Sequence, residues 1–141
     1  MKKFEYFEHP ADVGIFAYGK DLAEILVNAA TATTEQMVKT GDIGESVVKE
    51  ISYESASEEK LLLDFLDEII FFKDSESVLF SKFDIDVKEK DGKFVVKGKL
   101  FGEKIDMNKQ ELGTDVKAVT MHKFKIEKVK EGYKATFILD I

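Results

Sequence analysis

Two stretches of this chain repeat their apolar residues at helical spacing, and most of the remainder alternates apolar with polar like strands, which confines the fold to two helices combined with several strands. The first helical stripe is Leu22, Ile25, Leu26, Ala29 and Ala30, with Thr33 and Met37 beyond. Asp21 precedes it as an N-cap, and Glu24 three residues later completes a capping-box pattern. This helix is expected to end near Gly41. The second stripe, Leu61, Leu62, Phe65, Leu66, Ile69 and Ile70, follows Ser55 or Ser57 as its cap.

Residues 4–8 and 13–19 read as two strands around the turn His9-Pro10-Ala11-Asp12, where Pro10 fixes its own φ and restricts His9. Residues 47–53 read as a third strand. Residues 79–87 and 94–100 alternate around Lys90-Asp91-Gly92, which predicts a hairpin. Residues 119–129 and 133–139 flank Lys130-Glu131-Gly132 and predict a second hairpin, with Phe124, Ile126 and Phe137 on its buried face. The stretch 102–115 carries no clear period. The expected result is one α+β domain over residues 1–141, built in two layers with both helices on one face of a mostly antiparallel or mixed sheet.

A chain of 141 residues can bury a real core, and 44% hydrophobic with 11% aromatic residues is enough to offset ordering entropy. With no cysteine there are no disulfides, no thiolate catalysis and no cysteine-ligated metal, as expected of a reducing cytoplasm. No apolar run approaches the roughly 20 residues that span a bilayer, and the N-terminus lacks the apolar core of a signal peptide, so a cytoplasmic location is expected. Net charge is −7, and all 21 basic residues are Lys. Without Arg, the usual bidentate reader of phosphate and guanine, direct RNA binding is not expected. Strand-spaced pairs such as Lys97/Lys99 and Lys123/Lys125 read as solvated strand faces.

Two acids stand near opposite ends of the chain, each beside a strand. Asp12 follows the first strand-like run, and Asp140 closes the apolar run Phe137-Ile138-Leu139. Adjacent strands of one sheet would bring the carboxylates together, and Ile141 would add a terminal carboxylate or carbonyl. Hard divalent cations bind clusters of oxygen, so this set makes a partial shell for calcium, magnesium or manganese. Alone, Asp12 reads as a turn cap and Asp140 as a fraying end, though Leu139 and Ile141 argue that the end is pinned. There is no Ser-His-Asp order, Walker-type glycine loop or His-Glu-x-x-His pattern to support independent hydrolysis or nucleotide binding.

Three segments, His9-Pro10-Ala11-Asp12-Val13-Gly14, Thr114-Asp115-Val116-Lys117-Ala118-Val119-Thr120-Met121-His122 and Leu139-Asp140-Ile141, resemble the archease family in order along the chain. The acidic, Leu-rich residues 58–68 resemble that family's second helix. Pro10 stands where the family commonly has Thr, and Met121 where Tyr is common; neither change removes a candidate ligand. The resemblance implies an accessory protein, not an enzyme, whose partner is the tRNA-splicing RNA ligase that joins a 2',3'-cyclic phosphate or 3'-phosphate end to a 5'-hydroxyl. It implies promotion of ligase guanylylation and multiple turnover, with broader use of nucleoside triphosphates. It further implies a metal site at Asp12, Asp140 and Ile141, holding calcium in a crystal or manganese or magnesium otherwise, and a functional role for Lys117. An ammonium beside these carboxylates would neutralise them, position a metal-bound group or contact a phosphate.

His9 and His122 fall within the matched segments and are read as residues that hydrogen-bond and orient the metal's ligands rather than as catalysts. Two other classes compete. A stand-alone metal-dependent phosphate or nucleotide hydrolase would use the same acids, with Lys117 as electrophile. A chaperone-like module would suppress aggregation regardless of Asp12 and Asp140.

Overall fold

Side-chain caps start both helices where the sequence places them. A computed structural model describes residues 2–9, 12–106 and 108–141, with His9 described by its backbone alone. Strand β1 (Phe4–His9) and β2 (Asp12–Gly19) lead into helix α1 (Leu22–Met37), whose N-cap Asp21 accepts the Glu24 N–H at 2.9 Å. Strand β3 (Val47–Ser55) precedes α2 (Glu58–Glu76), capped by Ser57, which accepts the Lys60 N–H at 3.1 Å. Then follow β4 (Val78–Lys90), β5 (Lys93–Lys104), β6 (Ala118–Val129) and β7 (Gly132–Asp140). The hairpin between β4 and β5 pairs Lys90 with Lys93, leaving Asp91-Gly92 as a two-residue loop with φ of 54° and 78°. Positive φ at both positions is what an Asp-Gly type I′ turn requires.

Helix α1 stops at Met37, four residues before the expected Gly41. Val38 is already extended, at φ −164°, and forms an isolated antiparallel bridge with Leu112. A β-branched residue that finds a strand partner in a distant loop leaves the helix there, and only a short 3-10 turn, Thr40–Asp42, continues.

The α+β class holds, and every strand pairing is antiparallel, but the expected single sheet is two. One has the order β1-β2-β7-β6 and the other β3-β5-β4. Alternation assigns the faces of a strand without naming its neighbours, which is why the division was not legible. Helix α1 packs on β2 and β7 of the first sheet and on β4 of the second, while α2 touches β6 of the first and β3, β4 and β5 of the second. The core between them is apolar: Ile15, Ile25, Leu26, Phe65, Phe80 and Phe137 are fully buried, each worth roughly 1.5–3 kcal/mol of transfer free energy. Among the described residues no helix is long and apolar enough to cross a membrane.

Beyond the Val38–Leu112 bridge, the irregular segment after β5 is fastened by hydrogen bonds to distant parts of the chain. Ile105 N–H donates to Ser77 O at 2.7 Å, Gly113 N–H to Met37 O at 2.8 Å, and Thr114 N–H to Gln36 O at 2.8 Å. Glu103, only 9% exposed, accepts from Gly44 N–H and Gln110 Nε2 at 2.8 Å each and from Lys109 Nζ at 3.0 Å. The Gly44 amide first, and then Lys109, hold its carboxyl below the ordinary 4.5. These ties carry the chain from the second sheet back to the first, where it enters β6.

Candidate metal centre

The two acids meet because β2 and β7 are neighbours with a register that puts Asp12 directly opposite Asp140. Along β7 the buried Ala135, Phe137 and Leu139 point into the core, and on β2 Ile15 and Ala17 do the same. Side chains alternate along a strand, so Asp12 and Asp140 both project from the opposite, outer face. Asp12 is half-buried and Asp140 exposed. The row continues across the sheet: His9 pairs with Asp12 through β1, and Ala118 with Asp140 through β6. The side chain of His9, together with Pro10 and Ala11, lies outside the described residues.

The chain end is pinned, as Leu139 and Ile141 suggested. Leu139 is fully buried, and Ile141, half-buried, packs against the core one residue past β7. Its main-chain oxygens therefore stay close to the acidic row. Lys117, exposed, directly precedes β6, and its N–H donates to the Asp140 carbonyl at 2.8 Å. That bond places the Lys117 backbone beside the residue whose carboxylate belongs to the row.

His122 lies outside the regular ladder of β6. Strand β6 is regular from Ala118 to Thr120 and from Lys125 onward, but between them the register breaks, so that four residues of β6 oppose Phe137. His122 lies in that bulge, exposed, with its N–H donating to Thr120 Oγ1 at 3.2 Å, and Lys123 beside it has φ 59°. Phe137, which the bulge opposes, stands three residues before Asp140 on β7. No period in the sequence announces such a bulge.

The donor set suits a hard cation. Two carboxylates on opposed residues repel each other, and a divalent ion between them converts that repulsion into attraction. Carboxylate and main-chain oxygens are the ligands that calcium, magnesium and manganese prefer. Among the described residues no group of three or more His, Asp or Glu side chains is placed to hold a metal. What this end of the sheet could present to a cation is therefore two carboxylates and the main-chain oxygens of Ile141.

A groove on the surface of the second sheet has a plainer reading. On the outer face of the second sheet Lys97 and Lys99 stand between Glu50 and Ser52 on one side and Asp84 and Asp86 on the other. Lys99 approaches Glu50 at 3.9 Å, so opposite charges answer each other across strands, the solvated face the sequence suggested. A residue that sequence reasoning missed is Lys73 in the last turn of α2, which hydrogen-bonds Asp115 and Val116, more than 40 residues away in the chain.

Comparison with known proteins follows the same geometry. Residues 4–141 match the model of the Archease protein family (MTH1598/TM1083). The chain is 43% identical over 141 residues to "Protein archease" of Sulfurisphaera tokodaii, with 100% of each covered. It is 37% identical over 142 residues to "Protein archease" of Pyrococcus furiosus, again with 100% of each covered. A solution structure of a Methanobacterium thermoautotrophicum protein superposes with a TM-score of 0.88 at 40% identity, covering 100% of both chains.

Proposed function

Because the chain belongs to the archease family, we propose that it is an accessory activator of the tRNA-splicing RNA ligase, with no bond-making chemistry of its own. The observation that carries this reading is the register pairing of Asp12 with Asp140, joined by the Lys117 amide on the Asp140 carbonyl. It brings Asp12, Asp140 and Lys117, three of the four positions that the family resemblance implies, to one end of one sheet. Asp12, Asp140 and a main-chain oxygen of Ile141 would hold calcium, manganese or magnesium. When bound, such an ion supplies charge neutralisation and a template for phosphate oxygens.

The residues of this chain have separable duties. Asp12 and Asp140 present anionic oxygen at the sheet end. Lys117 supplies the one charge of opposite sign among these positions, suited to a triphosphate oxygen or to a carboxylate of the ligase. Acting on a partner, such a surface raises turnover by binding the guanylylation-competent conformation of the ligase more tightly than the other. The all-lysine, net-acidic chain is suited to a protein partner rather than to RNA.

The test is multiple-turnover ligation by the purified cognate ligase with GTP and manganese, with and without this protein and its Asp12→Ala, Asp140→Ala and Lys117→Ala variants. Wild type should stimulate, and the folded variants should not. Equal stimulation by all three variants would refute the residue assignment. Phosphatase activity of the isolated chain, absent any ligase, would favour the hydrolase reading instead.

A further inference from the structure

Lys73 is unusual among the lysines of this chain in being nearly buried. Its side chain is 12% exposed, although it belongs to the last turn of α2. The ammonium donates to Asp115 Oδ1 at 2.7 Å and to the Val116 carbonyl at 2.6 Å, and Asp74 Oδ1 lies 2.8 Å away. An ammonium has three N–H donors, and here three oxygens meet it. Burial alone would lower its pKa, but the hydrogen bonds to Asp115 and Asp74 outweigh that and raise it, so the group stays charged at any ordinary pH.

The Val116 carbonyl and the Lys117 N–H are two ends of a single peptide unit. Lys73 holds the oxygen, and the Asp140 carbonyl holds the N–H at 2.8 Å. A peptide unit is planar, so bonds at its two opposite edges fix its orientation. The Val116 side chain is fully buried, which blocks sliding of the segment as well. Upstream, Gly113 and Thr114 are bonded to the end of α1, and the Asp115 side chain, 70% exposed, is held by Lys73.

We propose that Lys73 is a positioning residue for Lys117: by clasping the Val116–Lys117 peptide against the Asp140 carbonyl, it sets where Lys117 stands relative to the acidic pair. The inference rests on the reading above that Lys117 serves ligase activation. It extends the functional unit from the end of the first sheet to the C-terminus of α2, where a cation is also favoured by the helix dipole.

The test pairs two readouts on the full chain. Amide exchange of Lys117 is followed by NMR in wild type, Lys73→Met and Lys73→Arg. Ligation is measured against concentration of each protein, separating the half-saturating concentration from maximal turnover. Lys73→Met should speed Lys117 exchange by about tenfold or more, as loss of a charged hydrogen bond implies, while Phe137 and Leu139 exchange at wild-type rates. Maximal stimulated turnover should fall with little change in half-saturation, and Lys73→Arg should restore most of it. Ile25→Val, a core change remote from the clasp, should lower the melting temperature without lowering maximal turnover. Should Lys73→Met fail to fold, Lys73→Gln, which has a shorter stem ending in an uncharged amide, provides the comparison. Wild-type Lys117 exchange in the Met variant overturns the clasp. Faster exchange with undiminished turnover overturns the positioning role. Absence of stimulation by wild type overturns the functional reading and the positioning role with it, while exchange still reports on the clasp.

Discussion

The opposed acids make a prediction whose sign depends on the cation. Directly opposed residues of an antiparallel pair hold their Cβ atoms about 5 Å apart. Two unit charges at roughly that distance repel by about 1 kcal/mol in a water-like dielectric and by several times more in a drier one. Asp140 is exposed and Asp12 only half-buried, so the smaller figure applies, and salt reduces it further. For a domain of this size, about 1 kcal/mol corresponds to roughly 3–4 °C in melting temperature. Asp140→Asn keeps the shape of the side chain and removes its charge. In chelator and low salt the variant should therefore melt a few degrees above wild type. A divalent ion at about 100 times its Kd adds roughly 2.7 kcal/mol to the protein that binds it, which lifts wild type by about 9 °C. The variant, having lost a charged ligand, should gain much less, so the order of stabilities reverses between chelator and manganese or calcium. Differential scanning fluorimetry in both conditions reads this directly. A variant no more stable than wild type in chelator, or one that gains as much from the ion, would refute the reasoning.

Two further outcomes follow from buried and crowded polar groups. Thr136 on β7 is 5% exposed, and its hydroxyl has no hydrogen-bond partner among the described residues, so Thr136→Val, which keeps the shape and the β-branch, should raise stability by about 1–2 kcal/mol in urea unfolding. A loss of stability would mean that the hydroxyl is satisfied. On α2, burial first and then Asp64 push the Asp67 and Glu68 carboxyls above their ordinary 3.8 and 4.5. A raised folded-state pKa means stability that is present below the unfolded value and lost as pH rises through the folded one. Asp67→Asn should accordingly stabilise the protein at pH 7 by roughly 0.3–0.5 kcal/mol, the size of a like-charge pair one helical turn apart, with the gain vanishing below about pH 4. A gain that persists at pH 3 would place its cause outside the carboxylate charge.

The sequence by itself determined what depends on neighbours a few residues apart. Asp21 and Ser57 cap their helices because the oxygen and the amide it accepts are three residues apart, and Asp91-Gly92 makes its turn because both positions tolerate positive φ. The buried stripe of α2 emerges as read, since Leu61, Leu62, Phe65, Leu66, Ile69 and Ile70 are all buried. The strands bearing Asp12 and Asp140, and the family to which they belong, were legible for the same reason. The tertiary structure decided whatever needed two distant segments at once. It pairs β2 with β7 in the register that opposes the acids, divides the strands between two sheets, ends α1 at Val38 and puts His122 in a bulge of β6. It also closes Lys73 onto the peptide of Lys117, across more than 40 residues of chain. Alternation gives each strand its buried face but leaves partner and register open, and those are settled only when the apolar faces of both sheets and both helices close on one core.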